Sequence, residues 1–262
     1  MPIIETTRGK LFVAQRREQT YLKTCPTLIC IHGAGGSHQH WGYLARTLSP
    51  SYHVVSVDLP GHGRSPGPGR CCVGDYSNIV IALLDALEIE RAVFVGHSMG
   101  GAIAIWTAIT QPERVEALAL IGCGERLPVH PAIIHYLEQN DLPAAVKVVV
   151  EHSYTPKTPP LLRASGEAAF LQNDIHTLYG DMLVCSSYDV RGQAGQVTCP
   201  ALVMCGTEDH ATPPAFSEQL AANLPRSTYV PIDGTGHMAL IEKPDEVGHA
   251  LDEFLTSLCK TD

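Results

Sequence analysis

Short, nearly continuous runs of Val, Ile, Leu and Ala recur along the chain at Thr27 to Ile31, His53 to Val57, Ala92 to Val95, Ala117 to Ile121, Ala201 to Cys205 and Ser227 to Ile232. Each has the length of a strand, and the lack of polar alternation predicts strands buried on both faces. Ahead of them, Ile3 to Gln15 reads as an opening hairpin with Arg8-Gly9-Lys10 as its turn. Helical patterns separate several runs, at Asp75 to Leu87, Gly100 to Thr110, Pro214 to Asn223 and Asp245 to Leu258. Strand and helix in alternation predict an α/β fold: a mostly parallel central sheet with right-handed crossovers and helices on both faces.

The alternation stops between about Gly124 and Val197, where four helical stretches follow one another: Val129 to Gln139, Pro143 to Ser153, Pro160 to Leu171 and Asp174 to Ser186. We expect residues 1–123 and 198–262 to form one core domain and 124–197 to be an insertion. Ligands of open α/β sheets bind beyond the carboxyl ends of the strands, where such a helical insert would act as a lid.

A chain of 262 residues with 45% hydrophobic and 17% charged residues has ample material for this core. The formal charge of −9 argues against nucleic acid and anionic membranes as partners and favours a neutral organic substrate. Residues Met1 to Lys10 lack the apolar run of a secretory signal, and no stretch is long enough to span a bilayer, so the expected location is cytoplasmic. The nine cysteines, odd in number and partly within strand-like runs, are expected to be reduced thiols. Cys123 with His130 and His135 is the nearest approach to a metal cluster; the two histidines are five apart and do not share a helical face. No metal or cofactor is expected.

Chemistry enters at Gly96-His97-Ser98-Met99-Gly100, which lies between the strand ending at Val95 and the apolar helix from Ala102. In that setting G-x-S-x-G is a sharp strand-to-helix turn that holds the serine hydroxyl above the sheet. The bland alternative is a tight turn with Ser98 as a helix cap. His32-Gly33-Ala34-Gly35-Gly36 follows the third strand and Asp58-Leu59-Pro60-Gly61-His62-Gly63-Arg64-Ser65 the fourth. With the serine turn, these segments resemble the α/β-hydrolase superfamily over nearly the whole chain, and the resemblance implies the α/β-hydrolase fold.

A serine hydroxyl needs a base, and the base an orienting carboxylate. Gly234-Thr235-Gly236-His237-Met238 resembles the superfamily's histidine loop, which implies His237 as base. Gly206-Thr207-Glu208-Asp209 with Pro213 beyond resembles its acid loop and implies Asp209, with Glu208 the main local competitor and Asp233 a weaker one. Asp209 as a cap for the helix near Pro213 is the bland alternative. His38, His40, His130, His135, His152, His176 and His249 are read as surface or core residues. Backbone N–H groups must then stabilise an oxyanion: Met99, which follows the nucleophile, and by similarity Ala34, with Gly35 as the alternate.

The resemblance implies a serine hydrolase acting through an acyl-enzyme on a small to medium hydrophobic ester or thioester. Tyr136, Tyr154, Phe170, Tyr179 and Met182 are candidate wall residues of the lid. Alternatives are a carbon–carbon hydrolase of ring-cleavage products, a cofactor-free perhydrolase, and a receptor or scaffold with a vestigial site. The first is weakened by Met238, where such enzymes carry an aromatic residue.

Overall fold

The computed structural model describes residues 3–16, 25–48 and 50–258. The elements run β1 (Ile3–Thr6), β2 (Gly9–Arg16), β3 (Thr27–Ile31), α1 (Gly42–Leu48), β4 (His53–Val57), α2 (Val73–Ala86), β5 (Ala92–His97), α3 (Met99–Thr110) and β6 (Val115–Ile121). After β6 come α4 (Pro131–Glu138), α5 (Leu142–Ser153), α6 (Pro160–Phe170) and α7 (Ile175–Ser187), with no strand among them. The chain then returns through β7 (Ala201–Gly206), α8 (Pro214–Asn223), β8 (Ser227–Ile232), α9 (Ala239–Glu242) and α10 (Pro244–Leu258). Among the described residues no helix is long and apolar enough to cross a membrane.

The eight strands form one sheet in the order β1-β2-β4-β3-β5-β6-β7-β8. The first hairpin is antiparallel and β2 runs antiparallel to β4; every later pairing is parallel. The hairpin turn falls one position earlier than expected. Gly9 already pairs with Thr6, so the connection is Thr7-Arg8, and Gly9 serves as a strand residue with φ of 123°.

The unbroken apolar runs are explained by two core layers. Along β3, Leu28 and Cys30 face the layer containing Trp41 of the turn before α1 and Leu251 of α10, while Ile29 and Ile31 face α2 and α3. Val93 and Val95 against Phe94 in β5 divide in the same way. Each strand therefore supplies both layers with alternate side chains, which are apolar at nearly every position, the buried Ser56 of β4 being an exception. The helices between β6 and β7 have a smaller apolar cluster of their own, formed by Ile133, Val146, Val150, Phe170, Leu178 and Met182, which also takes in Met238.

Two helices lay outside the expected set. α1 is preceded by a single 3-10 turn, His38–Trp41, capped by the Ser37 side chain accepting from the Gln39 N–H. α9 is a single turn following Met238. Both are too short to show an amphipathic period, and packing of Trp41 and Leu240 against the sheet holds them.

Candidate active site

Ser98 stands at the junction of β5 and α3 with φ of 53° and ψ of −117°, a conformation that side-chain-bearing residues rarely adopt. The backbone around it enforces the turn. The Ser98 N–H donates to the Ile121 carbonyl at 2.9 Å, and its own carbonyl accepts from the N–H groups of Gly101 at 2.8 Å and Ala102 at 3.1 Å. A Cβ on Gly96 would lie 2.4 Å from the Gly100 carbonyl oxygen, and one on Gly100 would lie 2.1 Å from that of Ile31. Both glycines are thus required by backbone crowding. The Ser98 hydroxyl makes no capping bond to α3, so the helix-cap alternative has no support.

Ser98 and His237 line the same cavity of about 360 Å³, beyond the carboxyl ends of the strands. Its walls are mainly apolar, with Leu127, Val129, Ile133, Val149, Phe170 and Met182 coming from the chain between β6 and β7. Of the suggested wall residues, Phe170 and Met182 are in the lining. Tyr154 is instead buried within the insertion's own cluster, and Tyr136 and Tyr179 pack at its edge. His40, His130 and His152, read from sequence as surface or core residues, do face the cavity.

His237 and Asp209 meet although 28 residues separate them, with Nδ1 at 2.8 Å from Oδ2. A carboxylate there can only accept, so Nδ1 carries the proton and Nε2 is the basic nitrogen. Asp209 is fully enclosed: its Oδ1 accepts from the N–H groups of Ala211 at 2.9 Å and Thr212 at 2.8 Å, and the Thr212 hydroxyl lies 2.9 Å from Oδ2. Burial, and next the Asp209 charge, push the Cys205 thiol up to about 12, so it faces that carboxylate at 3.8 Å as a neutral group. The competing acids lie elsewhere. Glu208 pairs with Lys157 at 2.6 Å, and Asp233 is exposed and accepts from the Thr207 hydroxyl at 3.3 Å. α8 begins after Pro213 without a side-chain cap, so Asp209 does not serve it.

Two further residues support this site. Thr212 lies three residues after Asp209, and the turn of that loop brings its N–H and hydroxyl onto the carboxylate. His97 is buried and its Nε2–H donates to the His237 carbonyl at 2.9 Å. Burial above all, and then the adjacent His237, hold His97 well below the ordinary histidine value. It therefore stays neutral beside a ring that must gain charge.

In the loop after β3, Ala34 lines the cavity. Among the described residues neither the Ala34 nor the Met99 N–H has an acceptor. The Gly35 N–H, by contrast, is committed to Asp181 Oδ2 at 2.8 Å. Asp58 of the loop after β4 is structural: its carboxylate accepts from the N–H groups of His38 at 2.6 Å and Arg64 at 2.9 Å.

Comparison with known proteins bears on the family and the fold. The model of the alpha/beta hydrolase family matches residues 28–250. The pimeloyl-[acyl-carrier protein] methyl ester esterase of Pectobacterium atrosepticum is 28% identical, covering 83% of this chain and 89% of its own. The 3-oxoadipate enol-lactonase 2 of Acinetobacter baylyi is 28% identical, covering 88% of each. Among solved structures, the enol-lactonase from Burkholderia xenovorans LB400 superposes with a TM-score of 0.90 at 25% identity, covering 97% of this chain and 100% of that one.

Proposed function

The chain belongs to the alpha/beta hydrolase family, and from that premise we propose that it hydrolyses a small to medium hydrophobic ester through an acyl-enzyme formed on Ser98. The observation that carries this reading is the placing of Ser98 and His237 on one apolar cavity, with His237 held through Nδ1 by a buried carboxylate. Two similar proteins are named for ester chemistry, one a methyl ester esterase and one an enol-lactonase; a lactone is itself a cyclic ester.

In the proposed reaction His237 Nε2 takes the Ser98 hydroxyl proton as Oγ attacks the ester carbonyl. Asp209 fixes the ring and stabilises the imidazolium. The N–H groups of Met99 and Ala34 hold the oxyanion, since the Gly35 N–H is occupied. The N-terminus of α3 favours the same negative charge. On collapse the His237 proton passes to the departing alkoxide, leaving acyl-Ser98. Water, deprotonated by His237, then attacks the acyl group; the acid leaves, and the proton returns to Ser98. The insertion acts as the lid that supplies the acyl-binding wall.

The test is Ser98→Ala assayed on p-nitrophenyl esters of rising chain length, with fluorophosphonate labelling of the wild type. Hydrolysis is expected to fall by about three orders of magnitude or more with the fold intact. Undiminished turnover would remove Ser98 from the mechanism, and a wild type that labels yet turns over no ester would redirect the reading to another bond.

A further inference from the structure

The loop that carries Ala34 is held by two different parts of the molecule. On the core side, the Gly33 carbonyl accepts from the Gly36 N–H at 3.0 Å and from the His32 ring at 2.8 Å. His32 Nε2 accepts from the Leu59 N–H at 3.0 Å, which places the His32 proton on Nδ1. On the other side, Gly35 is gripped by the insertion at both its polar atoms. Its N–H donates to Asp181 of α7 at 2.8 Å, and its carbonyl accepts from Nδ2 of Asn173, just beyond α6, at 2.9 Å. Gly35 has φ of 61°, and a Cβ there would sit 2.8 Å from the Phe170 ring, so the insertion rests directly on it.

We infer that Asp181 and Asn173 are positioning residues that fix the Gly35 backbone and thereby set the direction of the neighbouring Ala34 N–H, making the insertion part of the oxyanion site. The inference rests on the assignment of Ala34 in the proposed function.

Asp181 is fully buried and cannot relax when this contact is strained. Its Oδ2 also accepts from His62 Nε2 at 2.7 Å, and its Oδ1 accepts from the Tyr76 hydroxyl at 2.9 Å. Tyr76 in turn accepts from the Arg70 N–H at 3.0 Å. The loop after β4, α2 and the loop after β3 therefore converge on one carboxylate from α7. His62 Nδ1 faces the Pro60 carbonyl at 3.0 Å, so both of its nitrogens face acceptors, and the pair is satisfied when His62 is imidazolium and Asp181 is ionised. A carboxylate held from three directions is a rigid reference point. A loop donor displaced from it misses the oxyanion while the acyl wall stays in place.

The test compares Asp181→Asn and Asn173→Ala with the wild type for kcat and KM on p-nitrophenyl butyrate. It also compares inhibition by a trifluoromethyl ketone, which adds the serine oxygen to give an oxyanion. Asp181→Asn is expected to lower kcat about tenfold or more and Asn173→Ala about threefold, with KM within about twofold. The inhibition constant should rise in step with the loss of kcat/KM. A purely structural role lowers the melting temperature without that proportionality. Folded variants with kcat within twofold of wild type, or with reduced kcat and unchanged ketone affinity, overturn the inference. Should Asp181→Asn not fold, Asn173→Ala alone decides by the same criteria. An active Ser98→Ala rejects the proposed function itself. An inactive Ser98→Ala beside fully active Asp181→Asn and Asn173→Ala rejects only the positioning role.

Discussion

Thr212 holds Asp209 by both of its carboxylate oxygens: its N–H donates to Oδ1 at 2.8 Å, and its hydroxyl lies 2.9 Å from Oδ2. The same hydroxyl is 2.9 Å from the Gly122 carbonyl and 3.1 Å from His237 Nδ1. Having a single proton, it serves one acceptor at a time and packs beside the bond between Asp209 and His237. Thr212→Val keeps the shape and the N–H bond but loses the hydroxyl. It should reduce kcat about fivefold, corresponding to about 1 kcal/mol for one hydrogen bond. Steady-state kinetics indistinguishable from wild type would show that the backbone bonds alone fix the carboxylate.

The turn at Ser98 makes a sharper demand on the backbone. Gly100→Ala places a Cβ 2.1 Å from the Ile31 carbonyl oxygen, at the end of the central strand β3, and 2.7 Å from that of His32 just beyond it, both backbone atoms. A loss of more than about 3 kcal/mol is expected, seen as insoluble or unfolded protein. Gly42→Ala is the control: its Cβ meets nothing within 4 Å, and in α1 the change should be neutral or stabilising. Equal melting temperatures for the two variants would contradict the crowding argument.

Two buried histidines give stability opposite pH signatures. Burial, and after it the neighbouring His237, hold His97 well below 6.5. The unfolded chain takes up that proton and the folded one declines it, so stability is full above pH 6.5 and falls as the pH drops below it. For His62, burial acts downward, but the Asp181 carboxylate and the Pro60 carbonyl outweigh it and hold the group above 6.5. Its contribution is full below 6.5 and is lost as the pH rises through the raised value. His62→Gln should therefore cost more stability near about pH 6 than near about pH 9 in urea titrations. A cost that is the same at both, or larger at the higher pH, would count against the imidazolium.

The acyl wall should be adjustable at Ile133 of α4, which lines the cavity and is 6% exposed. Ile133→Ala opens space at a cost of about 2 kcal/mol or more in stability. It should raise the ratio of kcat/KM for hexanoate over acetate esters several-fold, at about 0.8 kcal/mol for each methylene newly enclosed. An unchanged chain-length profile would place the acyl group elsewhere in the cavity.

Much of the molecule is legible from the chain alone. Strands buried on two faces are apolar at nearly every position, so β3 to β7 are visible as nearly continuous runs despite Ser56 in β4 and Glu116 in β6. Gly96, Ser98 and Gly100 are legible because backbone crowding at one turn permits so few residues. Asp209 and His237 are suggested by loops that resemble the superfamily's acid and histidine loops, and α4 to α7 by their helical periodicity. The tertiary structure alone decided which groups serve them. His97, Asn173 and Asp181 meet partners 140, 138 and 146 positions away, and Thr212, though only three positions from Asp209, also reaches His237 and the Gly122 carbonyl 25 and 90 positions away. No local propensity marks such residues, because a threonine or aspartate looks the same whether it faces water or a buried carboxylate or amide. Their roles are fixed by the sheet order and by the return of the insertion over Gly35, which are properties of the packed chain.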